Sequence, residues 1–176
     1  IKETQDSFGP VRTLSYTDDE GETRTIEYPT QVGGSLIENA TGRVLAFVGG
    51  RDYEVSEYNI AFDSRRGTGS AIKPLITYGP ALAENFITPA TVVPDTELIV
   101  KSGNEDHNIS NVGRTTNEWR DARHWLKMSQ NIPNTKIYLG MLDNGINPAK
   151  YIRAMGIGPE AISDNEFYQP STSLGG

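Results

Sequence analysis

The chain of 176 residues contains no cysteine. That excludes a disulfide framework and a thiolate metal centre, and it fits either redox compartment. Histidine is scarce too: His107 and His124 are the only two, and neither has a partner at metal-ligand spacing. Long apolar runs are missing, since none approaches the roughly 20 residues that span a bilayer. The first ten residues, IKETQDSFGP, have neither the basic start nor the apolar stretch of a signal peptide. If the parent protein is exported or anchored, that signal is expected outside this chain. Basic clusters are absent beyond the Arg65–Arg66 pair, and 16 Lys and Arg against 23 Asp and Glu leave a net charge of -7. Nucleic acid and anionic membrane surfaces reward a basic patch, so no nucleic-acid partner is expected. There is no internal repeat and no low-complexity tract.

What is present reads as a folded chain. Hydrophobic residues at 36% and charged residues at 22% are an ordinary globular mixture, and the length suits one domain or a large piece of one. VRTLSY and TRTIEY alternate apolar with polar around TDDEG, which predicts a hairpin within residues 1–31, a linker or small β extension. GSLIEN and RVLAFVGG flank a short turn, and Val44 to Val48 is apolar at every position, the pattern of a central strand buried on both faces under a helix. Residues 51–68 read as a surface loop. SAIKPLITYGPALAEN has Ile72, Leu75, Ile76 and Leu82 at helical spacing, with a break expected at Gly79–Pro80. Residues 88–117 read as an extended stretch and then a long loop. Three short helices follow: one in NEWRDARHWLKMS, a break at QNIPN, one ending at Gly145, and one with Asn147 as N-cap and Pro148 at its first position.

The first candidate for chemistry is RRGTGSAIKP, residues 65–74. A serine hydroxyl is a poor nucleophile at neutral pH and needs a neighbouring base, and three residues along a helix put Ser70 and Lys73 on one face. Lysine can be that base when burial or nearby positive charge lowers its pKa. A serine at a helix N-terminus also sits beside unpaired backbone N–H groups, which favour developing negative charge. Pro74 costs little within the first turn, yet it disfavours helical dihedrals at Lys73. The competing reading is a serine that merely caps a helix, and on S-x-x-K alone that reading wins. A phosphate-binding loop is excluded, because here the lysine does not follow a glycine.

The second candidate is MSQNIPNT, in which Ser129 and Asn131 form an S-x-N tripeptide able to aim a hydroxyl and an amide into one cleft. Alone it reads as a polar helix end stopped by Pro133. In combination, S-x-x-K followed by S-x-N are two of the three motifs, with K-T-G, carried by penicillin-binding proteins and related β-lactamases.

With those motifs in place, the chain from about Val32 resembles the transpeptidase domain of penicillin-binding proteins, and more narrowly the bifunctional class A type. The resemblance lies in TGRVLAFVGGRDY, YNIAFDSRRGTGSAIKP, TPATVVPD and SQNIPNTKIYLGMLDNGINPAKYIRAMGI. It implies an α/β fold of the α+β type, an antiparallel central sheet flanked by helices with an all-helical lobe, and residues 32–176 as the N-terminal part of that domain. It also implies a serine acyltransferase that attacks the D-Ala-D-Ala end of a peptidoglycan stem peptide, releases D-alanine and passes the acyl group to a second stem, with β-lactams acylating the same serine. By the same resemblance Ser70 is the nucleophile and Lys73 its base, Ser129 relays a proton to the leaving group, and Asn131 binds the substrate backbone and helps hold Lys73. No metal or organic cofactor is implied. The expected location is the extracytoplasmic face of a bacterial membrane, and the parent is expected to carry a glycosyltransferase as well. Two other functions share these residues: a sensor domain that binds without turnover, and a D,D-carboxypeptidase or β-lactamase that uses water as acceptor.

The sequence departs from the family in three places. Ile60 stands where the family often has Arg, and Thr68 where Pro is common. No K-T-G or K-S-G follows Ser129, and the KSG at 101–103 precedes S-x-N, so it reads as coincidence. The expected partner is therefore a complementary C-terminal part of the same domain, carrying the third motif and completing a sheet that is incomplete in this chain.

Overall fold

In the computed structural model, residues 11–54, 56–102 and 105–176 are described. The chain divides into two compact units, one up to Arg66 and one from Gly67 onward.

The first unit is built of two antiparallel ribbons. β1 (Val11–Thr17) pairs with β2 (Thr23–Pro29), Leu14 opposite Ile26. Their turn is organised by Asp18, whose carboxylate accepts the backbone N–H groups of Glu20 and Glu22 and pairs with Arg24. Gly21 takes the left-handed φ of +82° that this turn requires. β3 (Gly34–Ile37) pairs with β4 (Val44–Val48), and a one-turn helix α1 (Ile60–Asp63) follows, capped by the Asn59 side chain accepting Ala61 N–H at 3.1 Å. The expected burial of Val44 to Val48 on both faces is not realised. Leu45 and Phe47 are more than half exposed, although Phe47 makes an edge-to-face contact with Phe62, ring centroids 4.9 Å apart. A two-stranded ribbon without a third strand has too little area to hide either face.

The second unit holds the core. A 3-10 turn, Gly69–Ile72, runs into a wide π-type turn, Pro74–Tyr78, and then into α2 (Gly79–Ala83). The break expected at Gly79–Pro80 becomes a change of hydrogen-bond pattern rather than an end. Gly79 N–H reaches back to Pro74 O, and a β-carbon on Gly79 would stand 2.8 Å from that oxygen, so only glycine permits the approach. The long loop expected from Lys101 onward contains instead the return strand of a hairpin, β6 (Leu98–Ser102) with β7 (Glu105–Ile109). β5 (Val92–Pro94) pairs with β8 (Trp119–Asp121), and Asp121 caps α3 (Ala122–Met128) by accepting His124 N–H at 2.7 Å. α4 (Asn131–Asp143) starts earlier than expected, because Pro133 lies within its first turn, where a missing N–H is harmless. α5 (Ala149–Ala154) begins one residue later than expected, with Pro148 at the N-cap, while the Asn147 side chain still accepts Ala149 N–H at 2.8 Å.

Thus the antiparallel pairing and the helical lobe are present, while the sheet is split among the described residues into four two-stranded ribbons. α4 is the axis of the lobe: Ile137, Tyr138 and Met141 are buried in one cluster with Ile72, Ile76, Trp125, Ile152 and Phe167. Trp125 does two jobs, filling the core and donating its indole N–H to Val93 O at 2.7 Å, which ties α3 to β5. Trp125→Phe keeps much of the packing but strands that carbonyl. It is expected to lower unfolding stability by about 1–3 kcal/mol, read as a shifted urea midpoint with an unchanged slope.

Candidate functional site

Ser70 lies in the 3-10 turn that opens the second unit, on an exposed stretch. Lys73 follows one turn later, with φ -52° and ψ -46°. The backbone is therefore helical at the residue before Pro74, the region that a following proline disfavours. This directs the lysine side chain inward. It is only 1% exposed, among the most completely buried long side chains of the described residues.

Three oxygens from one short turn meet it there. Lys73 Nζ donates to Ser129 O at 2.6 Å and to Asn131 Oδ1 at 2.7 Å, and Ser129 Oγ lies at 3.4 Å. None of the three carries a charge, and no carboxylate pairs with Lys73 among the described residues. Burial without a counter-ion penalises the ammonium form and pushes the Lys73 pKa below its ordinary value.

Ser129 reaches Lys73 because of its backbone. It ends α3 in the left-handed conformation, φ 54° and ψ 32°, unusual for a residue with a β-carbon. That conformation reverses the chain between α3 and α4 and turns both the carbonyl and the hydroxyl of Ser129 toward the lysine. Asn131 then opens α4, where its side chain is fixed at both ends. Nδ2 donates to Ser110 O at 2.8 Å, which leaves Oδ1 facing Lys73.

Lys73, Ser129 and Asn131 thus form one hydrogen-bonded cluster, with Ser70 one helical turn away. Lys73 N–H donates to Ser70 O within the turn, but among the described residues no hydrogen bond joins the two side chains. The KSG match lies elsewhere: Lys101 and Ser102 close β6, and Gly103 is outside the described residues.

Sequence reasoning missed what braces the serine turn. Gly69 N–H donates to Gly175 O at 3.1 Å, so the C-terminal 3-10 turn Pro170–Leu174 and its glycine cap lie against the approach to Ser70. Gly175 has φ +83°, and a β-carbon on it would collide with Gly69 O. On the other side, buried Asn134 donates to Ser173 O at 3.0 Å, fastening the same turn to α4. The signal for this contact is two glycine-rich stretches, GTG and LGG, each of which alone reads as loop.

The comparisons with known proteins agree on one family. The family model for the penicillin binding protein transpeptidase domain matches residues 33–173. Penicillin-binding protein 2D of Bacillus subtilis is 38% identical over 112 residues, covering 62% of this chain and 16% of that protein. Penicillin-binding protein 1A of Clostridium perfringens strain 13 is 33% identical over 117 residues, covering 62% of this chain and 17% of its own length. The chain therefore spans about a sixth of each of these relatives. The crystal structure of penicillin-binding protein 1A from Haemophilus influenzae superposes with a TM-score of 0.65 at 26% identity, over 92% of this chain and 23% of that one. Penicillin-binding protein PonA1 from Mycobacterium tuberculosis, at 22% identity and a TM-score of 0.61 over 82% of this chain and 37% of that one, shares the fold.

The left-handed backbone at Ser129 makes a measurable prediction. Ser129→Gly and Ser129→Ala both delete the hydroxyl, but only glycine adopts this conformation without steric cost. The glycine variant is expected to be the more stable of the two by about 1 kcal/mol, a difference of a few degrees in thermal midpoint.

Proposed function

The chain belongs to the penicillin-binding protein transpeptidase family, and from that premise we propose that it supplies the acyl-enzyme-forming residues of a peptidoglycan D,D-transpeptidase, with Ser70 as nucleophile. The observation that carries this reading is Lys73: a lysine buried without a counter-ion, one turn from Ser70 and bonded to both Ser129 and Asn131.

A neutral amine has two N–H donors and one lone pair. In this cluster the two short contacts, to Ser129 O and Asn131 Oδ1, use both donors. The lone pair is left to take a proton. In acylation, Ser70 Oγ attacks the carbonyl carbon of the penultimate D-alanine while its proton passes to Lys73 Nζ. The C–N bond to the terminal residue then breaks. The departing amine takes a proton relayed through Ser129 Oγ, which is 3.4 Å from Lys73 Nζ, and D-alanine leaves. An amine of a second stem peptide attacks the carbonyl carbon of the resulting ester, the bond from that carbon to Ser70 Oγ breaks, and the proton lost by the attacking amine passes through Lys73 Nζ to Ser70 Oγ. A β-lactam enters the same sequence at its strained amide and halts at the ester.

The Ser70 N–H heads the helical turn and serves as one donor to the developing oxyanion. A second donor and the K-T-G motif would come from the rest of the domain, of which residues 32–176 are the N-terminal part. The parent would be a class A protein that also bears a glycosyltransferase and acts on the outer face of a bacterial membrane. No described helix of this chain is long and apolar enough to cross a membrane.

Mass spectrometry of the intact parent after exposure to a labelled penicillin tests the reading. Label on Ser70, absent in Ser70→Ala, is expected, and label on another residue or none overturns it. Release of D-alanine from a stem-peptide mimic separates an enzyme from a sensor.

The pH dependence has a definite sign. Only unprotonated Lys73 accepts the serine proton, so the acylation rate rises with pH through a pKa below 10.5 and levels off above it. The same shift costs stability below the folded-state pKa, where the buried amine must be charged, and the cost fades as pH rises toward the unfolded value. Lys73→Arg keeps a permanent charge and is expected to lose 100-fold or more of the acylation rate, on the order of a general base's contribution, at every pH.

A further inference from the structure

Asn131 meets Lys73 from the first residue of α4, so whatever holds that first turn also sets the distance between them. The backbone N–H groups of Asn131 and Ile132 have no partner within the helix. Both donate to one atom, Asn111 Oδ1, at 2.9 and 3.0 Å. Asn111 comes from the segment between β7 and β8, is 7% exposed, and uses the other end of its amide as well: Nδ2 donates to Asp95 Oδ1 at 2.7 Å.

Asp95 is fully buried. Its second carboxylate oxygen accepts Thr116 N–H and Thr116 Oγ–H, both at 2.8 Å. Its backbone is locked between Glu118 O and Asn117 N–H. The charged group that faces it is Lys136, on α4, whose Nζ donates to Pro94 O, Thr96 O and Thr96 Oγ1 around the same turn. A buried carboxylate satisfied in this way is a rigid anchor, because moving it would strand several polar groups.

We propose that Asn111 is a positioning residue for this site: anchored on Asp95, it clamps the first turn of α4 so that Asn131 Oδ1 meets Lys73 with water excluded. This rests on the reading of Ser70 and Lys73 given above and extends it to two residues outside its motifs. The neighbouring bond from Asn131 Nδ2 to Ser110 O belongs to the same brace, since Ser110 and Asn111 are consecutive. The consequence for chemistry runs through Lys73. If the clamp opens, Asn131 retreats, water reaches the amine, and the burial that lowers its pKa is lost.

The test uses the intact parent and labelled penicillin. Asn111→Ala is expected to slow acylation of Ser70 by about 10–100-fold, the scale of a misplacement near 1 Å, and to move the rising pH limb upward toward the ordinary lysine value. A wild-type rate with an unshifted limb overturns the proposal.

A charge-swapped pair covers the case in which the alanine variant does not fold. Asn111→Asp alone sets two carboxylates face to face and is expected to be slow. Asn111→Asp with Asp95→Asn exchanges donor and acceptor in the bond between the two side chains and leaves residue 111 accepting from Asn131 and Ile132 and residue 95 accepting from Thr116, so it is expected to recover the rate to within a few-fold. A folded double variant as slow as Asn111→Asp overturns the proposal. Amide hydrogen exchange at Asn131 and Ile132 reads the clamp without any reaction. Faster exchange in Asn111→Ala supports the clamp, and unchanged exchange overturns it, even if wild-type Ser70 takes no label and the functional reading has failed.

Discussion

The second unit is organised around one energetic problem, a lysine amine held away from water with no negative charge beside it. A charged Lys73 would be costly there, so the group is driven toward its neutral form, and its two short hydrogen bonds suit a neutral amine. Each unusual local feature nearby serves that arrangement. The backbone stays helical at Lys73 despite Pro74, Ser129 accepts a left-handed conformation, and Asn131 begins a helix within two residues of the end of the previous one. Locally unfavourable geometry of this kind persists only where surrounding structure enforces it. Here the enforcement comes from the packing of α4, the indole bond of Trp125, and the chain from Asp95 through Asn111 to the first turn of α4.

The two sides of the site are held by different means. The lysine side depends on side-chain hydrogen bonds between buried polar groups, each with a specific partner and direction. The serine side depends on close backbone approach, Gly69 to Gly175, where the absence of a β-carbon matters more than any side chain. The first kind of support resists rotation of a side chain. The second fixes the path of the turn that presents Ser70. A reaction that needs a serine oxygen and a lysine nitrogen in a defined relation depends on both kinds.

Much of this was legible beforehand. Helical spacing over SAIKPLITYGPALAEN and the caps at Asn147 and Gly145 were readable because they are local: a helix needs only its own residues and their nearest neighbours. The hairpin β6–β7 was not. β7 is mostly polar, and β6 carries Leu98, Ile99 and Val100 as one run, so no alternation of apolar and polar residues announces the pairing. The burial of Val44 to Val48 was misjudged for the opposite reason. Its apolar content is that of a central strand, but burial is supplied by neighbouring strands and helices, and among the described residues β4 pairs with β3 alone.

By itself the sequence determined which groups could do chemistry, a serine and a lysine one helical turn apart and a serine-amide pair downstream, because residue type and short-range spacing are written directly in it. It also excluded thiolate metal centres and a bilayer-length apolar run. Only the tertiary structure decided that Ser129 and Asn131 converge on Lys73 rather than on Ser70, that the lysine is buried without a counter-ion, and that Asn111 joins Asp95 to the start of α4. Those are relations between residues far apart in the chain. They arise when the core around α4 closes, since burial and hydrogen-bond direction are properties of the packed chain and of no single segment of it.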